Sequence, residues 1–184
     1  MKPTDILMKE HDAIKKMLKI LERMCDKLEA GEQVDNSHLE QVVDFIKNFA
    51  DKCHHGKEED ILFETMEEAG FTKEAGPIGV MLSEHDLGRD LVKGFSSAVD
   101  RYIGGEGNAV SVIVGNARKY SSLLNQHIDK ENNILYPMAD NRLSSEQQNN
   151  MLEEFEKFEQ QKMGPGKHEK FHNTLNDLSA IYLS

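Results

Sequence analysis

The chain is short of positive charge. Its 22 Lys and Arg stand against 33 Asp and Glu, a formal net charge of −11, so no basic stripe is left to neutralise the phosphates of a nucleic acid. No apolar run approaches the roughly 20 residues of a membrane-spanning helix, and the first residues, MKPTDILMKEHD, lack the apolar core of a secretory signal. The expectation is a cytoplasmic protein that binds neither nucleic acid nor membrane. Cysteine is scarce. Cys25 and Cys53 form no zinc-binding or redox spacing, suit a reducing compartment, and read as small apolar side chains. Segments with the two-residue alternation of a strand are missing too. What remains, 38% hydrophobic and 30% charged over 184 residues, describes an all-α globular chain long enough for one domain and an appendage.

Apolar residues recur at helical spacing in six segments. From Thr4 to about Ala30 the seam is Leu7, Ile14, Leu18, Leu21, Cys25 and Leu28, with His11 filling the missing step. The second segment, from Asn36 or Ser37 to Gly70, carries Val43, Ile46, Ala50, His54, Glu58 and Ile61, with Glu40 placed for a capping box. The third lies between Gly76-Pro77 and Gly104-Gly105, with Ile78, Met81, His85, Gly88, Val92, Phe95 and Val99 on one face. The fourth runs from about Asn108 to Met138 through Ile113, Ala117, Tyr120, Leu124, His127, Glu131 and Ile134, and Pro137 is expected to fray or kink its last turn. Short connections make neighbouring helices antiparallel, which predicts an up-down-up-down four-helix bundle over residues 1–141. Residues 142–184 form a C-terminal extension expected to pack on the bundle: a helix from Ser144 or Ser145, a break at Gly164-Pro165-Gly166, and a last helix with Phe171, Leu175 and Leu178.

An internal repeat overlies this pattern. HHGKEEDILF at 54–63 and HIDKENNILY at 127–136 align without a gap, setting His54 over His127 and Glu58 over Glu131. Glu10-His11-Asp12 recurs as Glu84-His85-Asp86, each triplet preceding its motif by nearly the same distance. Residues four apart share a helix face, and at about 1.5 Å rise per residue the four histidines and two glutamates fall at one level of the bundle. A buried carboxylate needs a charge partner or a metal. Two copies of the motif predict a dinuclear site of His11, His54, Glu58, His85, His127 and Glu131.

This pattern, H…HxxxE…H…HxxxE on a four-helix bundle, resembles the hemerythrin-like (HHE cation-binding) family over roughly residues 5–140. The resemblance implies two non-haem iron ions with an oxo or hydroxo bridge, one held by His11 and His54, the other by His85 and His127, with Glu58 and Glu131 bridging. Mixed imidazole and carboxylate ligands suit iron, though zinc or manganese could use the same set. Ferritin-like bundles use repeated Glu-x-x-His instead, which occurs here only once, as Glu169 and His172 in the tail. His55 and Glu59 also stand four apart, rotated by about 100°, and alignment with the second motif decides for His54 and Glu58. Lys57, Glu59, Asp60 and Lys130 then read as solvated surface, while Glu10, Asp12, Glu84 and Asp86 could orient histidines from outside the ligand set.

The sequence departs from the oxygen-carrying hemerythrins, which place two histidines four apart on the third helix: the positions four from His85 are Met81 and Arg89. One histidine fewer implies an extra open position on the second iron, which counts against simple oxygen carriage. His168, in GPGKHEKFH, could fold back as a fifth imidazole; the alternative is a tail that only packs Phe171, Leu175 and Leu178 over the bundle. His38 is expected to have no role. The implied function is binding of, or redox reaction with, dioxygen, nitric oxide or peroxide, for sensing, storage or detoxification, by a monomer or homodimer. Iron handling, as donation to damaged iron-sulfur clusters or iron sensing, is the alternative. The iron-repair relatives carry an N-terminal cysteine-bearing segment, whereas this sequence opens on its first helix. A zinc-filled structural module is a third reading.

Overall fold

A computed structural model describes residues 1–184. Six helices and no strands are present: α1 (Pro3–Glu29), α2 (residues 36–68), α3 (Pro77–Ile103), α4 (residues 109–142), α5 (Ser145–Lys162) and α6 (Lys167–Tyr182). The first four form the up-down-up-down bundle. Local chemistry sets their ends. Pro3 opens α1, and the Asp5 carboxylate accepts the Lys2 N–H at 2.7 Å. Asp35 caps α2 by accepting the Ser37 N–H at 2.8 Å, ahead of Ser37, the cap that a box with Glu40 would need. Ser144 and Gln147 form the reciprocal capping box at the start of α5. Gly31 (φ 77°) and Gly70 (φ 99°) end α1 and α2 in a conformation other residues adopt only with strain. No helix is long and apolar enough to cross a membrane.

Two helices are not uniformly α. Helix α2 widens to i→i+5 hydrogen bonding over Phe45–His55 and again over Glu58–Leu62, and α4 does so over Glu131–Leu135. Each widened turn advances the buried face by one residue. In α4 the buried seam therefore passes from Glu131 to Leu135, Tyr136 and Ala139, and Ile134, expected on the seam, is exposed. The same widening lies just before Pro137, where it makes room for a ring that cannot donate. The helix continues to Arg142 rather than ending near Met138.

The apolar interior is divided in two. One cluster extends from Ala13 to Leu28 on α1, to Cys53 on α2, from Val92 on α3 and to Ile128 on α4. The other holds Leu7, residues 61–63 and Met66, Ile78 and Met81, and Leu135, Tyr136 and Ala139. Between them every helix of the bundle presents histidine or glutamate. The single level expected for these residues is a belt between two cores. The tail helices cover both: α6 places Phe171, Leu175 and Leu178 in the first cluster, and α5 places Met151, Phe155 and Phe158 in the second.

Gly56, between the two widened stretches of α2, lies against the Phe158 ring, where a Cβ would come within 2.6 Å of the ring edge. Gly56→Ala is expected to lower stability by about 1–3 kcal/mol through overpacking. Gly115→Ala, at a helical position where a Cβ meets nothing, is expected to raise it by up to about 1 kcal/mol. Urea unfolding of the two variants measures both.

Candidate metal centre

All six residues expected at the site converge. His11 comes from α1, His54 and Glu58 from α2, His85 from α3, and His127 and Glu131 from α4, none more than 2% exposed. One ligand-capable atom each from His11, His54, Glu58 and Glu131 lies within 4.8 Å of the others. A second group of the same compactness contains Glu58, His85, His127 and a residue outside the expected set, His55. Glu58 belongs to both groups. Glu131 also spans them, with Oε2 3.0 Å from His11 Nε2 and Oε1 2.9 Å from His127 Nε2.

His55 is 5% exposed, and its ring stacks on that of His85 with centroids 3.9 Å apart. On a regular α-helix, neighbouring residues point about 100° apart, and only one of His54 and His55 would face the bundle axis. The widened turn ending at His55 lets both do so. The HH dipeptide was visible in the sequence, but the backbone that makes both members inward-facing was not.

Each of the five imidazoles is held by an oxygen acceptor on its Nδ1. His11 pairs with Asn132 Oδ1 at 2.7 Å, His54 with Glu10 Oε2 at 2.8 Å, His85 with Glu59 Oε1 at 2.7 Å and His127 with Glu84 Oε2 at 2.8 Å. His55 pairs more loosely, at 3.3 Å, with Asp51 Oδ1. Donation from Nδ1–H outward leaves each Nε2 lone pair turned into the site, the arrangement of a metal-binding histidine. Of the orienting residues expected, Glu10 and Glu84 serve in this way, whereas Asp12 is exposed and Asp86 pairs with Arg89 at 3.1 Å.

Charge on this outer layer is balanced. Lys57, expected at the surface, is fully buried and bonds to Glu10 and, at 2.7 Å, to Glu159 of α5. Lys130 bonds to Glu84. Arg89 donates to Asp51 at 2.9 Å and to Glu59 at 2.8 Å. His168 does not reach the cluster: it is partly exposed, packs on Phe49, and lies 3.9 Å from Glu10 Oε1. A fifth imidazole is present, but it is His55. Glu10, Glu159 and His168 also lie close together, with the Lys57 ammonium already paired to both carboxylates. His38 bonds to the Tyr182 hydroxyl at 2.8 Å.

Inside, the electrostatics call for a cation. Burial opposes a charged His85, but Glu131, Glu58 and Glu59 outweigh it and raise its pKa to about 11. Burial likewise opposes charge on His11 and His127, and Glu131 again turns the shift upward. Glu131 is pulled well below the usual carboxylate range, against its burial, by His127, His11 and His85. His55, buried beside His85, is pushed well below the ordinary histidine value and is a neutral donor. His54 Nε2, His55 Nε2, Glu58 Oε2 and both oxygens of Glu131 are buried with no hydrogen-bond partner in the protein. Such atoms are rare in folded proteins and call for an explanation. Glu131 stands about 3 Å from His11 and His127 without hydrogen-bond geometry, as expected of atoms that aim at a common centre. Ligands at right angles and about 2.1 Å from one ion are themselves about 3 Å apart. The residues fit metal cations, whose binding would displace protons from these histidines.

Sequence reasoning also missed Tyr136. Its hydroxyl donates to Glu58 Oε1 at 2.6 Å and lies 3.3 Å from His11 Nε2, and its ring stacks on His11. Burial and the Glu58 and Glu131 charges raise its pKa well above the ordinary phenol value, so it remains a proton-bearing donor. The alignment with Phe63 in the first motif marks only an aromatic position.

A helical bundle whose core is interrupted by a belt of inward-facing imidazoles and carboxylates is the fold of a cation-binding protein. The hemerythrin HHE cation-binding domain matches residues 2–139, and the chain belongs to that family. It is similar to the uncharacterized protein Rv1995 of Mycobacterium tuberculosis and the uncharacterized protein Mb2018 of Mycobacterium bovis, each 25% identical over 158 residues. Each alignment covers 86% of this chain and 61% of the relative. The chain therefore spans under two thirds of the length of these curated relatives. No solved structure matches it.

If the outer acceptors orient the ligands, Glu84→Gln and Glu59→Gln should fold normally yet hold metal about 10–100-fold less tightly. Competition with a chromophoric chelator measures this, and unchanged affinity in both would remove the orienting role.

Proposed function

We propose that this protein holds two non-haem iron ions and uses them to bind, or react by electron transfer with, dioxygen, nitric oxide or peroxide. One observation carries the reading: five buried imidazoles divide three and two around Glu58 and Glu131, and the inward nitrogens of His54 and His55 and three of the four carboxylate oxygens have no hydrogen-bond partner in the protein. In this assignment His55, His85 and His127 hold one iron, His11 and His54 hold the other, and Glu58 and Glu131 bridge. A pair of irons supplies an open coordination position and can change between ferrous and ferric states.

The division revises the argument against oxygen carriage. The third-helix histidine is missing, but His55 from α2 would take its place as the third imidazole on that iron, and the His11/His54 side would then hold the fewer protein donors. The chain contributes three things there. Leu7, Leu62, Leu135 and their neighbours close the end of the site and exclude water. Glu58 and Glu131 hold compensating negative charge. Tyr136 places its hydroxyl beside His11 Nε2 and donates its proton to Glu58 Oε1; to hydrogen-bond a small ligand on that side, this proton would turn from Glu58 to the ligand. The depth of the site argues against iron delivery, since every ligand is at most 5% exposed and release would require the bundle to open.

Purified protein reconstituted anaerobically is expected to hold about two irons per chain. His55→Ala should lose iron from its half first, so that bound iron falls toward one per chain. Elemental analysis decides, and a chain that retains no iron, or a His55→Ala variant with unchanged iron, overturns the assignment. Mixing the diferrous protein with each ligand then separates reversible binding from turnover.

Tyr136→Phe, which preserves the stacked ring, is expected to keep its iron but weaken or slow the ligand reaction by about tenfold, the effect of one hydrogen bond. Stopped-flow spectroscopy of the two diferrous proteins measures the difference.

A further inference from the structure

A cleft of about 350 Å³ opens between α2 and α3 and has His55 and His85 at its inner end. It lies within the range of small-molecule sites, about 300–1,000 Å³, and a diatomic ligand would leave most of it unfilled. Along α3 it extends from His85 to Asp100, about 22 Å at 1.5 Å per residue.

Its lining is divided by chemistry. Ile46, Val92 and Tyr120 offer apolar surface. Tyr120 is 3% exposed and raised to a pKa outside the physiological range by burial, and its hydroxyl has no hydrogen-bond partner in the protein although it lines the cleft. Lys47 and Lys93 supply cations that no carboxylate neutralises: Lys47 donates to the Ser96 hydroxyl at 2.7 Å, and Lys93 is exposed one turn away on α3. The acidic groups do not cancel them. Asp51 is engaged by Arg89 and His55, and Asp100 stands seven residues beyond Lys93 at the far end. Two unpaired ammonium groups in one cleft are notable on a chain of net charge −11.

We propose that this cleft binds a small organic anion, a carboxylate with an apolar body, with its head between Lys47 and Lys93 and its body over Ile46, Val92 and Tyr120. The unpartnered Tyr120 hydroxyl provides a further hydrogen bond inside. Its position beside the metal centre rests on the function proposed above and makes the anion the co-substrate or effector of that centre. Arg89 couples the two, because it holds both Asp51 and Glu59, the acceptors on His55 and His85. Arg89 lines the same cleft, so an anion bound between Lys47 and Lys93 lies along the wall that holds those two imidazoles.

Calorimetric titration of the metal-loaded protein with benzoate, with benzylamine as the cationic control, tests this. Benzoate should bind saturably at millimolar or lower concentration, benzylamine should not, and the charge-reversed double variant K47E/K93E should bind benzoate at least about tenfold more weakly with its metal content unchanged. Absence of saturable benzoate binding, equal binding by the two proteins, or equal binding of benzylamine would each overturn the proposal. Equal binding accompanied by a change in the iron spectrum identifies a ligand on iron rather than in the cleft. If the chain takes up no iron, the di-iron reading fails, while the same titration on zinc-loaded or metal-free protein still decides the cleft.

Discussion

Two carboxylates with no access to water govern this structure. Glu58 and Glu131 are fully buried at the level where all four helices of the bundle meet. An isolated carboxylate in such a place would cost several kcal/mol in desolvation and would protonate instead. Positive charge has to be close by, and the surrounding histidines provide the means of holding it, as protons or around a metal. The division of the apolar interior follows: neither cluster can extend through this level, so each is closed by a separate tail helix.

The imidazoles can serve only if their rings cannot turn. That task falls to an outer layer of oxygen acceptors, each neutralised in its turn. Glu10 holds His54 and is held by Lys57; Glu84 holds His127 and is held by Lys130. These are repeat-equivalent residues doing the same work in the two hairpins. Lys57 also reaches Glu159, so α5 is tied through one buried ammonium to the orientation of a histidine in the belt. The tail is therefore part of the site's support, although none of its side chains enters the belt.

Much of this could be read from the amino acids. Helical periodicity placed six segments, and the repeated H-x-x-K-E motif with its E-H-D partner brought six residues to one level. What periodicity could not show was a change of period. The widened turns at Phe45–His55 and Glu131–Leu135 brought His55 inward, exchanged Ile134 for Leu135 on the seam, and carried α4 through Pro137. The buried Lys57 was legible in principle, because Lys130 stands at the same step of the other motif. A lysine repeated inside a ligand motif suggests a partner, whereas one lysine on its own suggests solvent. The position of His168 was left open for a different reason. Its distance from the cluster depends on how α6 crosses the bundle, and residue types along one helix do not fix a crossing.

The two motifs differ at five positions, and three of the differences bear on the belt, on its opposite sides. Where the first motif has His55, the second has Ile128, which packs in the core. Where the first has Glu59 on His85, the second has the neutral Asn132 on His11. Where the first has Phe63, stacked on His85, the second has Tyr136, stacked on His11. One side thus gains an imidazole, an acidic acceptor and an apolar wall; the other has fewer donors and a neutral acceptor, but acquires a hydroxyl. If both halves were equal, an incoming ligand would have no preferred side, and both would need the same compromise between firm coordination and an open position. Dividing those tasks requires only that duplicated hairpins diverge at residues already facing inward. The asymmetry leaves the His55/His85/His127 side, with the cleft beside it, as the richer set of donors, and the His11/His54 side as the one that carries a hydroxyl.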